Sequence, residues 1–485
     1  MRSPAAHLVR FLAVLCLASA ISGGLSADTI YLKNGRKIIA SHVTTENGQV
    51  SYETSAGRLS LPLTIVDRVV HDGVSTTPAA GSVADRAANL PIAPPNALAP
   101  TSREAADAAV RDNSIDVDLL SRLESEATSN PSPAALARVV AAETAAARFE
   151  ISVGDFQRAG DHYNTGLRFD PNNVGLLLEA AYLHLRRSEY TAAADLLDHA
   201  RAIDPDSAEV FKLMGWAYYG LNRVSDAVTQ WKRAMELKPD EEIKHALEKA
   251  QRDAQEEAEY HEGETIHFRL KYNGAAAPDL AQEVLKTLES QYDEISNTLD
   301  YVPPEPIGVI LYTNQTFMDI TRAPSWSGAL NDGRIRVPVE GLSSMTDELA
   351  RVLRHELAHS FVSQKTGGRC PVWLQEGIAQ YIEGKRSRTN AATLTASFER
   401  HMEISLLSYE TSWMSLPSDA ASVAYAWSLA VVESIVTVNG VDDLERILER
   451  IAAGSSAEDA SRAVLREDYP ELMLSTVQFL RKAYL

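Results

Sequence analysis

Two histidines and a glutamate near the middle of the C-terminal half have the spacing of a metal site. His355 and His359 stand four residues apart, so on a helix their imidazoles share one face and can hold one metal ion. Glu356 lies beside them, where its carboxylate can take a proton from a water molecule at the metal. Apolar residues recur at helical spacing over residues 349–364, which predicts the required helix. The pattern indicates hydrolytic metal chemistry.

A third protein ligand decides whether such a site is catalytic. A catalytic zinc ion has three protein ligands and one open position, and the downstream candidates are Cys370, Glu376 and Glu383. Cys370 stays an alternative to the glutamates, although it precedes Pro371 in a predicted loop. A structural zinc site would need four protein ligands, whereas this pattern offers three and a base.

Residues 373–381, WLQEGIAQY, resemble the second signature of the gluzincin zinc metallopeptidases. In the peptidase MA-like group of that family, which includes aminopeptidase N-type enzymes, a glutamate after Trp-Leu and before Gly-x-Ala completes the zinc site. The resemblance implies that Glu376 is the third ligand of one Zn²⁺ ion. It covers residues 263–485 and implies an α+β metallopeptidase domain that hydrolyses peptide bonds in peptide or protein substrates.

The same resemblance assigns a role to Tyr425, in the segment AYAWSLAVVESIV. These families place a tyrosine there that donates a hydrogen bond to the oxyanion of the tetrahedral intermediate, where negative charge appears only in the transition state. The alternative is that Tyr425 is a core residue of an amphipathic helix.

We call the helix predicted at residues 349–364 the metal helix. The residues before it bear on substrate specificity. Gluzincins bind the substrate backbone as an added strand, and we expect residues 333–338 to form that edge strand. Residues 328–332, GALND, resemble the Gly-Ala-Met-Glu-Asn motif of aminopeptidases, whose glutamate holds the free amine of a substrate. Because Asn331 replaces that glutamate, we expect an endopeptidase.

An envelope scaffold or interaction protein with a dormant peptidase domain is the competing interpretation. Glu356 is dispensable for holding metal, so an inactive descendant would have no reason to keep it beside three ligands. The sequence therefore favours a zinc-dependent enzyme with His355, His359 and Glu376 as ligands, and it indicates no other cofactor.

The metal helix needs a scaffold, and a mixed α/β region precedes it. An amphipathic stretch at 280–299 lies among strand-like runs at 266–272, 307–312 and 334–339. Further helices are predicted after residue 387, and they would form the lower half of a cleft. The clearest of them cover residues 441–451 and 465–484.

Residues 117–262 repeat with a period of 34. The repeating columns are Pro171, Pro205 and Pro239; Ala159, Ala193 and Ala227; Ala147, Ala181 and Gly215; and Tyr163, Leu197 and Trp231. Small residues let the paired helices approach while the large residue fills the neighbouring groove. The pattern resembles about three tetratricopeptide repeats, followed by a charged capping helix near residues 240–260. Such repeats form either a concave surface for a protein partner or a rigid spacer.

The N-terminal part predicts a small β module and a linker. Residues 28–72 alternate apolar and polar positions, with Asn-Gly pairs at 34–35 and 47–48 as hairpin signals. About five strands are expected, and the segment DTIYLKNGRKIIASHV resembles small barrel-like modules of exported bacterial proteins. Residues 73–116, rich in Ala, Pro and Ser, predict a linker.

Residues 1–27 have the pattern of an export signal. Arg2 and Arg10 precede an apolar run, and small residues lead to an expected cleavage site after Ala27. A lipid anchor on Cys16 and an uncleaved anchor are the alternatives. No later stretch is expected to supply the roughly 20 apolar residues of a membrane helix. We therefore expect an exported protein, periplasmic or secreted, without a transmembrane segment in the mature chain.

Net charge and cysteine content limit the classes of binding partner and the possible disulfide bonds. The formal net charge of −20 argues against nucleic acid and anionic membranes. Once the signal is removed, Cys370 remains alone, so no intrachain disulfide is expected. The fold class is multidomain: a small N-terminal β module, an α-helical repeat solenoid, and a C-terminal α+β metallopeptidase domain.

Overall fold

The computed structural model describes residues 27–32, 37–46, 49–54, 57–63, 66–70, 100–273, 278–313, 330–331, 333–339, 342–400, 405–411, 413 and 418–485. The predicted export signal lies outside these ranges apart from Ala27, and Cys16 lies outside them too. Signal cleavage and the alternative anchors therefore stay predictions.

The N-terminal module is an antiparallel sheet of five strands, as predicted. The strands are β1 (Ala27–Leu32), β2 (Lys37–Glu46), β3 (Gln49–Thr54), β4 (Gly57–Pro62) and β5 (Val66–Val70). They lie in the order β4-β3-β2-β1-β5. The hairpin signals fall between consecutive paired strands, which is where alternating segments joined by Asn-Gly are expected to turn.

Helices follow from residue 100 to residue 256. They are α1 (Pro100–Ala109), α2 (Val117–Ser129), α3 (Pro133–Val153), α4 (Phe156–Phe169), α5 (Val174–Arg186), α6 (Tyr190–Ile203), α7 (Ala208–Gly220), α8 (Val224–Leu237) and α9 (Glu241–Glu256). The pairs α3/α4, α5/α6 and α7/α8 are the three predicted repeats, and α9 is the predicted capping helix. At Gly215 an added Cβ would lie 2.2 Å from the Trp231 ring, so the small and large columns interlock as expected.

The predicted linker is wrong over its last part. Residues 100–109 form α1, and Val110–Arg111 and Ser114–Ile115 pair as the short strands β6 and β7. Ala105 and Ala109 are buried in the core that α1 shares with α3. Alanine has the highest helix propensity and little volume, so an Ala-rich stretch that looks like a linker can pack as a close-fitting helix.

The C-terminal domain, residues 263–485 with the preceding strand β8, contains a second five-stranded sheet. Its strands are β8 (His261–Glu264), β9 (Phe268–Tyr272), β10 (Ile307–Tyr312), β11 (Leu330–Asn331) and β12 (Arg334–Pro338). The order is β11-β12-β10-β9-β8, with β9, β10 and β12 parallel and the outer two antiparallel. One face is apolar and packs on α10 (Pro278–Leu299) and α11 (Asp347–Lys365).

The expected edge strand is wrong by one position in the sheet. Residues 334–338 form β12, which pairs with β10 on one side and with β11 on the other. Among the described residues the edge strand is β11, in which Leu330 pairs with Arg336 and Asn331 pairs with Ile335. Two residues are too short a run to predict a strand from alternation, so the hairpin escaped the sequence pattern.

Helices form the rest of the domain. They are α12 (Val372–Glu383), α13 (Ala391–Glu399), α14 (Ser418–Asn439), α15 (Val441–Ala452), α16 (Ala457–Val464) and α17 (Tyr469–Tyr484). The last helix begins later than expected because Asp468 and Glu471 form a capping box at its start.

One of these helices is apolar enough to cross a membrane, contrary to the expectation that no later stretch would be. Within the described residues only Ala420–Asn439, in α14, meets the criteria of length and composition, and 67 % of its apolar window is buried inside the protein. It packs against α12, α15 and α17. The helix therefore has the surroundings of a core helix, whose neighbours bury it on several sides.

The repeats lie against the C-terminal domain along one edge of the solenoid. The turns that join paired helices carry Gly154, Ser188 and Asn222, which are 34 residues apart and have φ values of 86°, 60° and 60°. Each turn makes contact with the C-terminal domain, and we call these three segments the docked turns. Hydrogen bonds in or directly after these turns run from Arg369 Nη2 to Gly154 O (3.1 Å), from Thr191 N, in the first turn of α6, to Glu305 Oε1 (2.8 Å), and from Arg269 Nη1 to Leu221 O (2.9 Å).

The docked turn at Gly154 packs closely against Gly454, and a substitution of Gly454 tests this contact. Gly454 has φ +96°, and an added Cβ would lie 1.8 Å from Val153 O. Gly384 is the matched control, because it has φ +102° and nothing within 4 Å of the same position. A left-handed alanine costs about 1–2 kcal/mol, and overpacking adds about 1–3 kcal/mol. We expect Gly454→Ala to lower the melting temperature more than Gly384→Ala, and equal shifts would contradict the contact.

Candidate metal centre

Helix α11 presents the metal-binding pattern from the interior of the domain. Thr346 caps it by accepting a hydrogen bond from Leu349 N (3.1 Å), and Asp347 and Glu348 place negative charge in the first turn. The helix starts two residues before the predicted stretch and ends one residue after it. His355 and His359 are both buried on the face directed at α12, which carries Glu376.

Three ligand atoms converge on one point. The Nε2 atoms of His355 and His359 are 3.1 Å apart, and Glu376 lies 3.3 Å from His359 Nε2 through Oε1 and 3.6 Å from His355 Nε2 through Oε2. A tetrahedral ion with bonds of about 2.1 Å separates its ligand atoms by about 3.4 Å. Among the described residues this trio is the group of His, Cys, Asp and Glu side chains that could hold a metal ion.

The charges around that point fit a cation. Glu356 and Glu376 are each 1 % exposed, and neither oxygen of Glu356 nor Oε2 of Glu376 has a hydrogen-bond partner among the described residues. Burying an unpaired carboxylate is costly, so buried charges are normally paired or coordinate a metal. Burial raises the pKa of Glu376, and it raises the pKa of Glu356 to about 8 with help from the neighbouring carboxylates. The donor set therefore fits a divalent metal ion.

The two histidines respond to this environment in opposite directions. Burial alone would lower the pKa of His355, but the neighbouring carboxylates of Glu376 and Glu383 outweigh burial and raise that pKa. Burial and the charge on His355 both lower the pKa of His359. The buried carboxylates of Glu376 and Glu383 therefore favour positive charge at this point, and a bound cation would supply such charge.

Glu383 has a supporting role that the sequence pattern left open. Its Oε2 accepts a hydrogen bond from His355 Nδ1 (3.1 Å) and lies 3.0 Å from Lys385 Nζ. Burial would raise the pKa of Glu383, but His355 and Lys385 outweigh it and lower that pKa. A carboxylate on the far ring nitrogen fixes the tautomer and directs Nε2 towards the metal. Glu383 is therefore a positioning residue, and the ligand trio does not include it.

We expect Glu383→Gln to lower the affinity for Zn²⁺ by about 10-fold, because outer partners of ligating histidines typically contribute 10–100-fold. Competition with a coloured chelator measures the affinity directly. Glu399→Gln makes the same chemical change at an exposed position on α13 and should leave the affinity unchanged. Equal affinities in the two variants would remove Glu383 from the site.

Close packing of α12 against α14 holds Glu376 at the site. An added Cβ at Gly377 would lie 2.3 Å from Ser428 O, so this glycine lets α14 cross α12 at close range. Gln380 then joins the two helices by donating to Glu376 O (3.2 Å) and to Tyr425 O (3.0 Å). Tyr425 is buried, with its ring edge-on to Trp413 at 5.1 Å. The structure thus ties the Tyr425 backbone to the Glu376 turn, and the role of its hydroxyl stays a prediction.

The Asn331 side chain makes three hydrogen bonds on the other side of the metal helix, α11. Its Nδ2 donates to Glu356 O (2.7 Å) and Ser360 Oγ (2.7 Å), and its Oδ1 accepts from Gly333 N (3.0 Å). The side chain is buried, so it fastens the edge hairpin to α11. These contacts gave no signal in the sequence, because they join residues 25 and 29 positions apart.

Cys370 does not belong to the ligand trio. It is buried, and burial raises the pKa of its thiol, which disfavours the thiolate that binds metals. The alternative of a cysteine ligand therefore receives no support from the arrangement of the described residues.

Comparisons with known proteins match two parts of the chain. The Peptidase MA superfamily matches residues 295–477, which include His355, His359, Glu376 and Tyr425. The tetratricopeptide repeat family matches residues 150–216 and 184–250. A search of curated proteins found no match.

Two solved structures are also similar at low level. One, described as "MamA RS-1 ArsTM double mutant", is 20 % identical with a TM-score of 0.26, covering 36 % of this chain and 88 % of that chain. The other is a thermophilic TPR protein of Thermus thermophilus, 20 % identical with a TM-score of 0.22, covering 28 % of this chain and 72 % of that chain.

Proposed function

Because the chain carries a Peptidase MA superfamily domain preceded by tetratricopeptide repeats, we propose that it is a zinc-dependent endopeptidase. The observation that carries the proposal is the convergence of His355, His359 and Glu376 within 4.8 Å, with the Glu356 carboxylate buried and unpartnered beside them among the described residues. Three ligands with an adjacent base are the composition of a hydrolytic zinc site.

In this proposal His355, His359 and Glu376 hold one zinc ion. When bound, zinc supplies Lewis acidity that lowers the pKa of a water molecule and polarises the scissile carbonyl. Glu356 accepts a proton from the attacking water as the new C–O bond forms. It then delivers that proton to the leaving nitrogen as the C–N bond breaks, so the carboxylate is regenerated. Tyr425 would donate a hydrogen bond to the oxyanion, and Glu383 keeps His355 oriented.

The contacts of Asn331 support the choice of an endopeptidase. An aminopeptidase needs a free carboxylate at this position to bind the substrate amine. Asn331 carries no charge, and its amide is occupied by Glu356 O and Ser360 Oγ. Internal cleavage requires no amine recognition, so the edge strand can accept a peptide that extends in both directions.

Export and partner binding complete the proposal. The arginine-led apolar run and small residues before position 27 support an exported protein, periplasmic or secreted. A peptide or protein is the proposed substrate. A protein partner on the repeats is proposed as well, because among the described residues the docked turns lie along one edge of the solenoid.

Metal removal tests the proposed function. We expect the purified chain to contain about one zinc per molecule and to cleave a mixture of denatured proteins at internal bonds, with products identified by mass spectrometry. Chelation should abolish cleavage, and added Zn²⁺ should restore it. Zinc without cleavage would favour the scaffold interpretation, and no bound zinc would overturn the site.

A further inference from the structure

The capping helix α9 and the turn that follows it bring two buried carboxylates, Asp253 and Glu257, to the sheet of the C-terminal domain. Arg334 and Arg336 on β12 are 0 % exposed, and so is Asp253 on α9. Arg336 donates through Nη2 to Asp253 Oδ2 (2.8 Å) and through Nη1 to Oδ1 (3.1 Å), which is a bidentate pair. Arg334 donates to Asp253 Oδ2 (3.2 Å) and to Glu257. These ion pairs join the repeats to the strand beside the edge.

Two tyrosines complete this buried cluster. Tyr219, from α7, donates to Asp253 Oδ2 (2.9 Å) and accepts from Arg336 Nη2 (3.0 Å). Tyr312, from β10, accepts from Arg336 Nη1 (2.6 Å) and donates to Glu257 Oε1 (3.2 Å). Every group in the cluster is held by several others. Such a network specifies one arrangement, because loss of a member leaves a buried charge without compensation.

The Asp253 carboxyl is charged in this setting. Burial would raise its pKa, but Arg336, Arg334 and Lys249 outweigh burial and hold that pKa below the ordinary value. A planar guanidinium bound at two points has little freedom to move against its carboxylate. The capping helix therefore fixes β12 in position along the sheet.

The edge hairpin, which consists of β11 and β12, connects the buried cluster to α11, the helix that carries His355 and His359. Arg336 pairs with Leu330 across the hairpin, and the neighbouring pair joins Ile335 to Asn331. Asn331 in turn donates to the Glu356 carbonyl (2.7 Å) and to Ser360. Direct contacts therefore lead from the capping helix of the repeats to the backbone of Glu356.

We propose that Asp253 is a positioning residue for the metal centre and that the repeats are an integral part of the catalytic unit. The kinetic consequence rests on the proposed peptidase function. A displacement of about 1 Å among reacting groups can cost about 100-fold in rate. Loosening the hairpin should therefore lower kcat while the three ligands keep their zinc.

The test compares two carboxylate-to-amide changes on the same helix in the full zinc-loaded chain. Asp253→Asn alters the buried cluster, whereas Glu248→Gln alters an exposed residue of α9. For Asp253→Asn we expect kcat per bound zinc to fall by about 10–100-fold with a smaller change in KM. Amide hydrogen exchange over residues 330–338 and 355–360 should become faster. Glu248→Gln should change none of these.

A purely structural role would lower the folded fraction without changing kcat per bound zinc. A folded Asp253→Asn chain with unaltered kcat and unaltered exchange at 330–338 would overturn the proposal. If that variant does not fold, Arg336→Lys replaces it, since lysine keeps the charge but loses the two-point bond. If the unaltered chain cleaves nothing, the proposed function fails, and exchange at 330–338 still decides whether the hairpin depends on Asp253.

Discussion

Glu356→Gln should abolish peptide cleavage while zinc stays bound. The glutamine has nearly the same shape but cannot accept the proton of the attacking water, and a positioned base of this kind contributes about 10²–10⁴-fold to the rate. Zinc content should not change, because the proposed ligands are His355, His359 and Glu376, which could hold a metal ion without Glu356. Steady-state kinetics on a peptide identified from the digested mixture, together with elemental analysis, gives both quantities.

Glu348→Gln is the control for this experiment, since it makes the same change on the same helix at a side chain that is 38 % exposed. It should behave as the unaltered chain. Full cleavage by Glu356→Gln would remove this residue from the mechanism, whereas loss of zinc in that variant would show that the carboxylate holds the metal.

Glu376→Ala should leave a chain that binds zinc too weakly to retain it through dialysis. It removes one of three ligands, so the loss of affinity should exceed the roughly 10–100-fold expected from an outer partner. Cys370→Ser is the informative companion, because Cys370 was the alternative ligand and lies outside the trio. We expect Cys370→Ser to keep zinc and cleavage. The reverse result, with zinc lost in Cys370→Ser and kept in Glu376→Ala, would reassign the third ligand.

Much of the site could be predicted because its signals are local. His355 and His359 are one helical turn apart, and Glu376 sits within a recognisable segment of the next helix. The repeats were equally accessible, since a period of 34 residues recurs along the chain itself. In each case a spacing within one or two elements determines what the side chains can reach.

The supporting contacts could not be predicted because they join distant segments. Asn331 gave only a mismatch with an aminopeptidase motif, yet it fastens β11 to the metal helix. Asp253 looked like one more charge on a capping helix, and its partners lie 81 and 83 residues away. Glu383 is the exception, since it was a ligand candidate and its place seven residues after Glu376 returns it to the same helix face after two turns.

The docked turns also restrict how this chain can vary. Solenoids commonly gain or lose whole units, because each unit contacts only its neighbours. Here Gly154, Ser188 and Asn222 rest at successive points on a second domain of fixed dimensions, and α9 ends on the arginines of β12. If a unit were added or removed between these points, α9 would be displaced, and Asp253 would no longer reach Arg334 and Arg336. We therefore expect the contacts with the C-terminal domain to restrict the number of repeats that this chain can carry.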